Sequence, residues 1–61
     1  MSKQMDWDKA ENHLKMCEEA YTEIGSSGRF ALIYVITPCR DRFNKGERSQ
    51  ELYDDINEIA L

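Results

Sequence analysis

The chain has 61 residues and a mass of 7.2 kDa, which allows one domain. Twelve acids against eight Lys and Arg give a formal net charge of -4, and 41% of the residues are hydrophobic, with only three Gly and one Pro. That mix is too apolar and too poor in turn formers for a disordered tail, while a chain this short buries only about 60% of its unfolded surface and invites self-association or a partner.

Residues 1–4 lead straight into charged sequence, which reads as a chain with no signal peptide and no membrane span. Two cysteines without secretory context point to a reducing cytoplasm rather than a disulfide framework.

The first element is the clearest. Trp7, Ala10, Leu14, Cys17, Tyr21 and Ile24 recur at alternating spacings of three and four, the seam of a helix laid along a partner helix. Charged residues fill the positions between them. Asp6 is the expected N-cap, Gly25 the expected left-handed C-cap, and Glu11 with Lys15 a favourable i,i+4 pair. The spacing predicts a helix over about 6–24. Gly25-Ser26-Ser27-Gly28 then suits a tight reversal, with either serine able to cap the next element.

The middle segment has two readings. Phe30 to Thr37 is continuously apolar and rich in β-branched and aromatic residues, which favours strand. A lone strand has nothing in its own chain to pair with, so it would need a second copy. The preferred reading is a helix over about 28–44, apolar all round because it is the central, most buried element. Pro38 should kink that helix and push Thr37 away from helical angles.

A third helix is predicted over about 48–60. Leu52, Tyr53, Ile56, Ile59 and Ala60 form its apolar stripe, Ser49 is a candidate cap, and residues 44–47 form the preceding turn. Its acids, together with the terminal carboxylate, sit badly at a helix C-terminus, so a basic surface should be needed to hold it. The expected fold is therefore all-α, a small helical hairpin or three-helix domain spanning residues 1–61. The alternative is α-β-α with a 30–36 strand paired across a homodimer.

Charge is distributed unevenly. Residues 1–28 carry -3, residues 29–48 carry +3 through Arg29, Arg40, Arg42, Lys45 and Arg48, and residues 49–61 carry -4. Such segments neutralise one another when they fold together or when two copies pair.

Chemistry is sparse. His13, Cys17 and Cys39, with Glu11 as a fourth group, are conceivable zinc ligands, but they lack the paired short spacings of a strong zinc motif. No phosphate loop, nucleotide fingerprint or nucleophile motif is present, so no enzyme and no cofactor are expected. Arg40, Arg42, Lys45 and Arg48, with Phe43 and Tyr34 nearby, resemble a phosphate-binding cluster, although the acidic flanks oppose nucleic acid at long range.

The leading functional expectation is a small, acidic, cytoplasmic interaction module or regulator, non-enzymatic, that binds another protein of unspecified identity. Chains of this size and charge are common among accessory proteins of phages and other mobile elements. Homodimerisation is expected through the first helix and the buried middle segment, with no membrane involvement. Candidate protein-binding residues are Trp7, Leu14, Tyr21, Arg40, Arg42, Arg48 and Tyr53. The alternatives are a dimeric nucleic-acid-binding regulator using residues 40–48 and a metal-stabilised mini-domain.

Overall fold

A computed structural model of the chain describes residues 5–60. The leader reading of residues 1–4 and the terminal carboxylate of Leu61 lie outside them. Three helices account for the fold. Helix α1 is Trp7–Glu23. Helix α2 covers 26–44 in three unbroken pieces: α-helical Ser26–Ala31, a wide π turn at Leu32–Ile36, and α-helical Thr37–Asn44. Helix α3 is Gln50–Glu58.

Local chemistry sets the ends. The Asp6 carboxylate accepts from the Lys9 N–H at 3.1 Å, capping α1 as its sequence foretells. Gly25 reverses the chain at φ 68 and ψ -134, which is not the left-handed helical cap expected of it but a glycine-only extended conformation. Ser26 and Ser27 cap nothing; they lie inside the first turn of α2, and Gly25 itself precedes it. At the other end of α2, the Gly46 N–H bonds the Phe43 carbonyl and the Glu47 N–H the Arg42 carbonyl, at 3.0 and 3.1 Å. This is a Schellman ending, and it places Gly46 at φ 95. The Ser49 hydroxyl accepts from the Leu52 N–H at 3.1 Å and starts α3.

The strand alternative is overturned. Residues 30–36 are helical, and no strand occurs among the described residues. The disturbance expected near Pro38 takes the form of a π turn at Leu32–Ile36. Pro38 has no N–H, and its ring would press on the carbonyl four residues back, that of Tyr34. The π turn just before it relieves that crowding, with the Thr37 N–H reaching five residues back to the Leu32 carbonyl. Thr37 consequently keeps helical angles, φ -59 and ψ -44, instead of being driven out of them.

Side-chain contacts fix the topology. Gly28 of α2 lies against Tyr21 near the end of α1, while Phe43 near the end of α2 meets Trp7 at the start of α1. The two helices are therefore antiparallel. Helix α3 runs parallel to α1: Tyr53 meets Trp7 and Asp6, and the following Ile59 carbonyl accepts from His13. The core is Ala10, Leu14 and Cys17 from α1, Ile36 and Cys39 from α2, and Leu52, Ile56 and Ile59 from the α3 region. No buried polar side-chain atom among the described residues lacks a partner.

Element lengths decide what the core covers. Helix α1 has 17 residues and α3 nine, about 26 Å against about 14 Å at 1.5 Å per residue. The third layer closes only the half of the hairpin that holds the N-terminal part of α1 and the C-terminal part of α2. Beyond it, α1 and α2 continue as a bare two-helix arm. No helix among the described residues is long and apolar enough to cross a membrane.

Candidate functional site

The basic residues of the middle segment turn inward on their own chain. Arg40 grips Glu18 with two donors, Nε to Oε2 at 3.1 Å and Nη2 to Oε1 at 2.8 Å, and lies 3.9 Å from Glu11. Glu11 thus points to Arg40 rather than forming the expected pair with Lys15. Arg42 holds three carboxylates: Glu47, Glu51 at 2.9 Å and Asp55 at 3.2 Å. The hydrogen bond with Glu47 does most to raise the Arg42 pKa further, keeping it charged, and holds the Glu47 carboxyl down to about 2. Of the acids of α3, Glu51 and Asp55 find a cation in cis, in Arg42; Asp54 accepts from Gln50 instead, and Glu58 enters no ion pair among the described residues.

Arg48 lies over aromatic rings. Its guanidinium carbon is 3.8 Å from the Phe43 ring centre and 5.3 Å from that of Trp7. It also donates to the Phe43 and Glu47 carbonyls at 3.0 and 2.7 Å. Trp7 packs edge-on against Tyr53, with centroids 5.2 Å apart, and tilted against Phe43 at 6.2 Å. Trp7 and Tyr53, read from sequence as partner anchors, therefore close the helix-end cluster beneath Arg48. The Tyr21 hydroxyl donates to the Ala60 carbonyl, tying the chain end to α1. Leu14 is fully buried in the core and presents nothing outward.

The cysteine and histidine candidates are likewise absorbed. Because a carbonyl only accepts, His13 Nε2 donates to the Ile59 oxygen at 2.8 Å, which leaves that nitrogen no lone pair for a metal. Cys17 Sγ lies 3.6 Å from the same nitrogen. Both cysteines are free and buried. Burial, then the Glu18 charge, pushes the Cys17 thiol pKa up; burial and Asp55 do the same at Cys39 against the opposing pull of Arg42. Among the described residues no group of three or more His, Cys, Asp and Glu is arranged to hold a metal ion.

What remains open is the outer face of α2. Phe30 is 75% exposed, Tyr34 66%, Ile33 52% and Val35 45%. Phe30 and Tyr34 stack on one another one turn apart, with ring centres 4.9 Å apart. On one flank this face runs into a cleft of about 350 Å³ between α2 and α3, floored by Val35, Pro38 and Cys39 and walled by Arg42, Asp55 and Glu58. Ile24, at the tip of the arm, and Met16 are also exposed.

Neither Phe30, Ile33, Tyr34 nor Val35 was among the protein-binding candidates drawn from sequence, where the apolar run was read as buried on all sides.

Compared with known proteins, the chain matches no family model, no curated protein and no solved structure.

Proposed function

We propose that this chain is a non-enzymatic interaction module that acts by binding protein through the outer face of α2. The observation that supports it is the run of Phe30, Ile33, Tyr34 and Val35, all open to water in a chain whose buried polar side chains, among the described residues, are all partnered. A small domain does not leave two aromatic and two β-branched side chains together in solvent without a cost in solubility. Aromatic side chains are also the favoured anchors of protein interfaces. The nucleic-acid reading draws less support, because Arg40 and Arg42 are held by Glu18, Glu47, Glu51 and Asp55.

The test uses the full chain as bait alongside its Ile33→Asp variant. Ile33 is half exposed and outside the core, so the variant should keep its helical circular dichroism. Proteins retained by the wild-type chain and lost by the variant support the reading. Identical captures by both baits, with the two chains also alike in self-association, overturn it.

A further inference from the structure

We infer that the occupant of the α2 face is a second copy of this chain, with the two α2 helices packed antiparallel about a two-fold axis near Tyr34. The inference rests on the docking-face reading above and names what fills it.

The area is of the right order. Taking about 200 Å² for a large side chain, Phe30, Ile33 and Tyr34 at their fractional exposures present on the order of 400 Å² to water. That lies within the range of the largest patch a monomer leaves open, about 300–600 Å². It is about half of the roughly 800 Å² per partner in a standard interface. The exposed neighbours Arg29, Thr37, Pro38 and Asp41 supply the rim.

The π turn is what makes this face straight. In a regular α-helix each step of four residues overshoots a full turn by about 40°, so a row at i, i+4, i+8 winds away around the helix. The wide turn at Leu32–Ile36 takes up the overshoot. Two rows therefore stay on the outer side of α2: Phe30, Tyr34 and Pro38, and beside them Arg29, Ile33, Thr37 and Asp41.

The second row is complementary to itself in reverse. It opens with a cation, passes through an apolar and a neutral residue, and closes with an anion. Neither Arg29 nor Asp41 enters an ion pair with any described residue. A two-fold axis perpendicular to the paired helices keeps each row on its own side and reverses its order, the isologous arrangement. Arg29 then lies opposite Asp41 of the second copy, and Ile33 opposite its Thr37. In the first row Phe30 meets Pro38, and Tyr34 meets Tyr34, with the centres of the two rows one residue apart, about 1.5 Å along the helix. Both charge pairs form at once, at the two ends of an apolar centre. A parallel pairing would instead set Arg29 against Arg29 and Asp41 against Asp41. Rim charges of this kind fix register and orientation.

Sedimentation equilibrium over a concentration series tests the inference on the full chain. The expected species is twice the 7.2 kDa monomer. Arg29→Asp alone and Asp41→Arg alone should each raise the dissociation constant by about tenfold, ~1.4 kcal/mol, and the double swap should restore it. Ile33→Asp should give a folded monomer, with helicity read by circular dichroism. A wild-type chain that stays monomeric throughout overturns the inference but leaves the docking-face reading standing, provided the bait comparison above still separates the two chains. A dimer indifferent to Ile33→Asp overturns the placement on α2. A double swap that stays as weak as its parents overturns the antiparallel register.

Discussion

Arg40 of α2 engages Glu18 of α1 side-on, two donors to two acceptors at 3.1 and 2.8 Å, and so bolts together helices whose residues lie 22 apart in sequence. Both side chains are partly shielded, 21% and 33% exposed. The fork geometry is specific to guanidinium, and lysine reproduces the charge without the second bond. Arg40→Ala should therefore lower stability by about 1–2 kcal/mol, or several degrees in Tm for a domain of this size. Arg40→Lys should recover less than half of that loss. A double-mutant cycle with Glu18→Gln isolates the pair, and the expected coupling is about 1 kcal/mol. Coupling near zero would make the contact incidental to the hairpin.

Glu47 gives the fold a dependence on acid. The Arg42 guanidinium, and after it the Ser49 hydroxyl, hold its carboxyl at about 2 in the folded chain, whereas an unfolded glutamate protonates near ~4.3. As pH falls through that window the unfolded state takes up the proton first, so the contribution of Glu47 is complete above ~4.3 and fades toward 2. Melting curves across this range should show Glu47→Gln less stable than the wild-type chain at neutral pH. The two should converge as pH approaches about 2. Parallel curves separated by a constant offset would exclude this linkage.

The two thiols should be silent until the chain opens. Burial raises both thiol pKa values, so the reactive thiolate is scarce at neutral pH; the core encloses Cys17 fully, while Cys39 shows only 5% of its surface at the floor of the cleft. Ellman's reagent should label neither cysteine in the native chain and both in denaturant. Native-state labelling should proceed only at the rate of opening, and should accelerate in Arg40→Ala if that variant loosens the hairpin. Rapid labelling of the wild-type chain would place one of the thiols at the surface.

Much of this arrangement is legible in the sequence, and the part that is not has a physical reason. The seam predicted from Trp7 to Ile24 packs where its spacing puts it as far as Tyr21, while its last member, Ile24, stays exposed; Asp6 and Ser49 cap as their positions suggest, because capping and periodicity are local. The acids of α3 called for a basic surface, and Arg42 provides it for Glu51 and Asp55. The continuous apolar run from Phe30 to Ile36 carried no such local instruction. A run of that kind fits a strand, a buried helix or an exposed docking face, and only which side of α2 is turned toward α1 and α3 separates the last two. Trp7, Tyr53 and Arg48 have the chemistry of interface anchors, and in this chain that same chemistry packs the end of the small core. The π turn was hidden as well, since Pro38 announces a disturbed helix without saying whether the chain bends or widens.

Gly28 offers the sharpest test of how closely α1 and α2 approach. A Cβ built on it would lie 2.3 Å from the Tyr21 carbonyl oxygen and 2.9 Å from Ile24 Cγ1. The first of these is backbone and cannot rotate aside. Two effects of Gly28→Ala therefore oppose each other. In an open helix interior the change stabilises by about 1 kcal/mol, because alanine loses less conformational freedom on folding. Here the methyl group must force the two helices apart, and overpacking of that kind costs about 1–3 kcal/mol or more even where side chains can yield. For 61 residues the whole stability is on the order of 3–9 kcal/mol, so the expected result is a sharp fall in melting temperature or loss of the cooperative transition. Ser27→Ala, one residue earlier and exposed, carries the propensity gain without the clash and should melt at or slightly above the wild-type temperature. The sign of the difference between these two variants decides the matter. If Gly28→Ala were the more stable, the helices would have to stand well apart at their crossing, and the arm that displays Phe30 and Tyr34 would lack a rigid base.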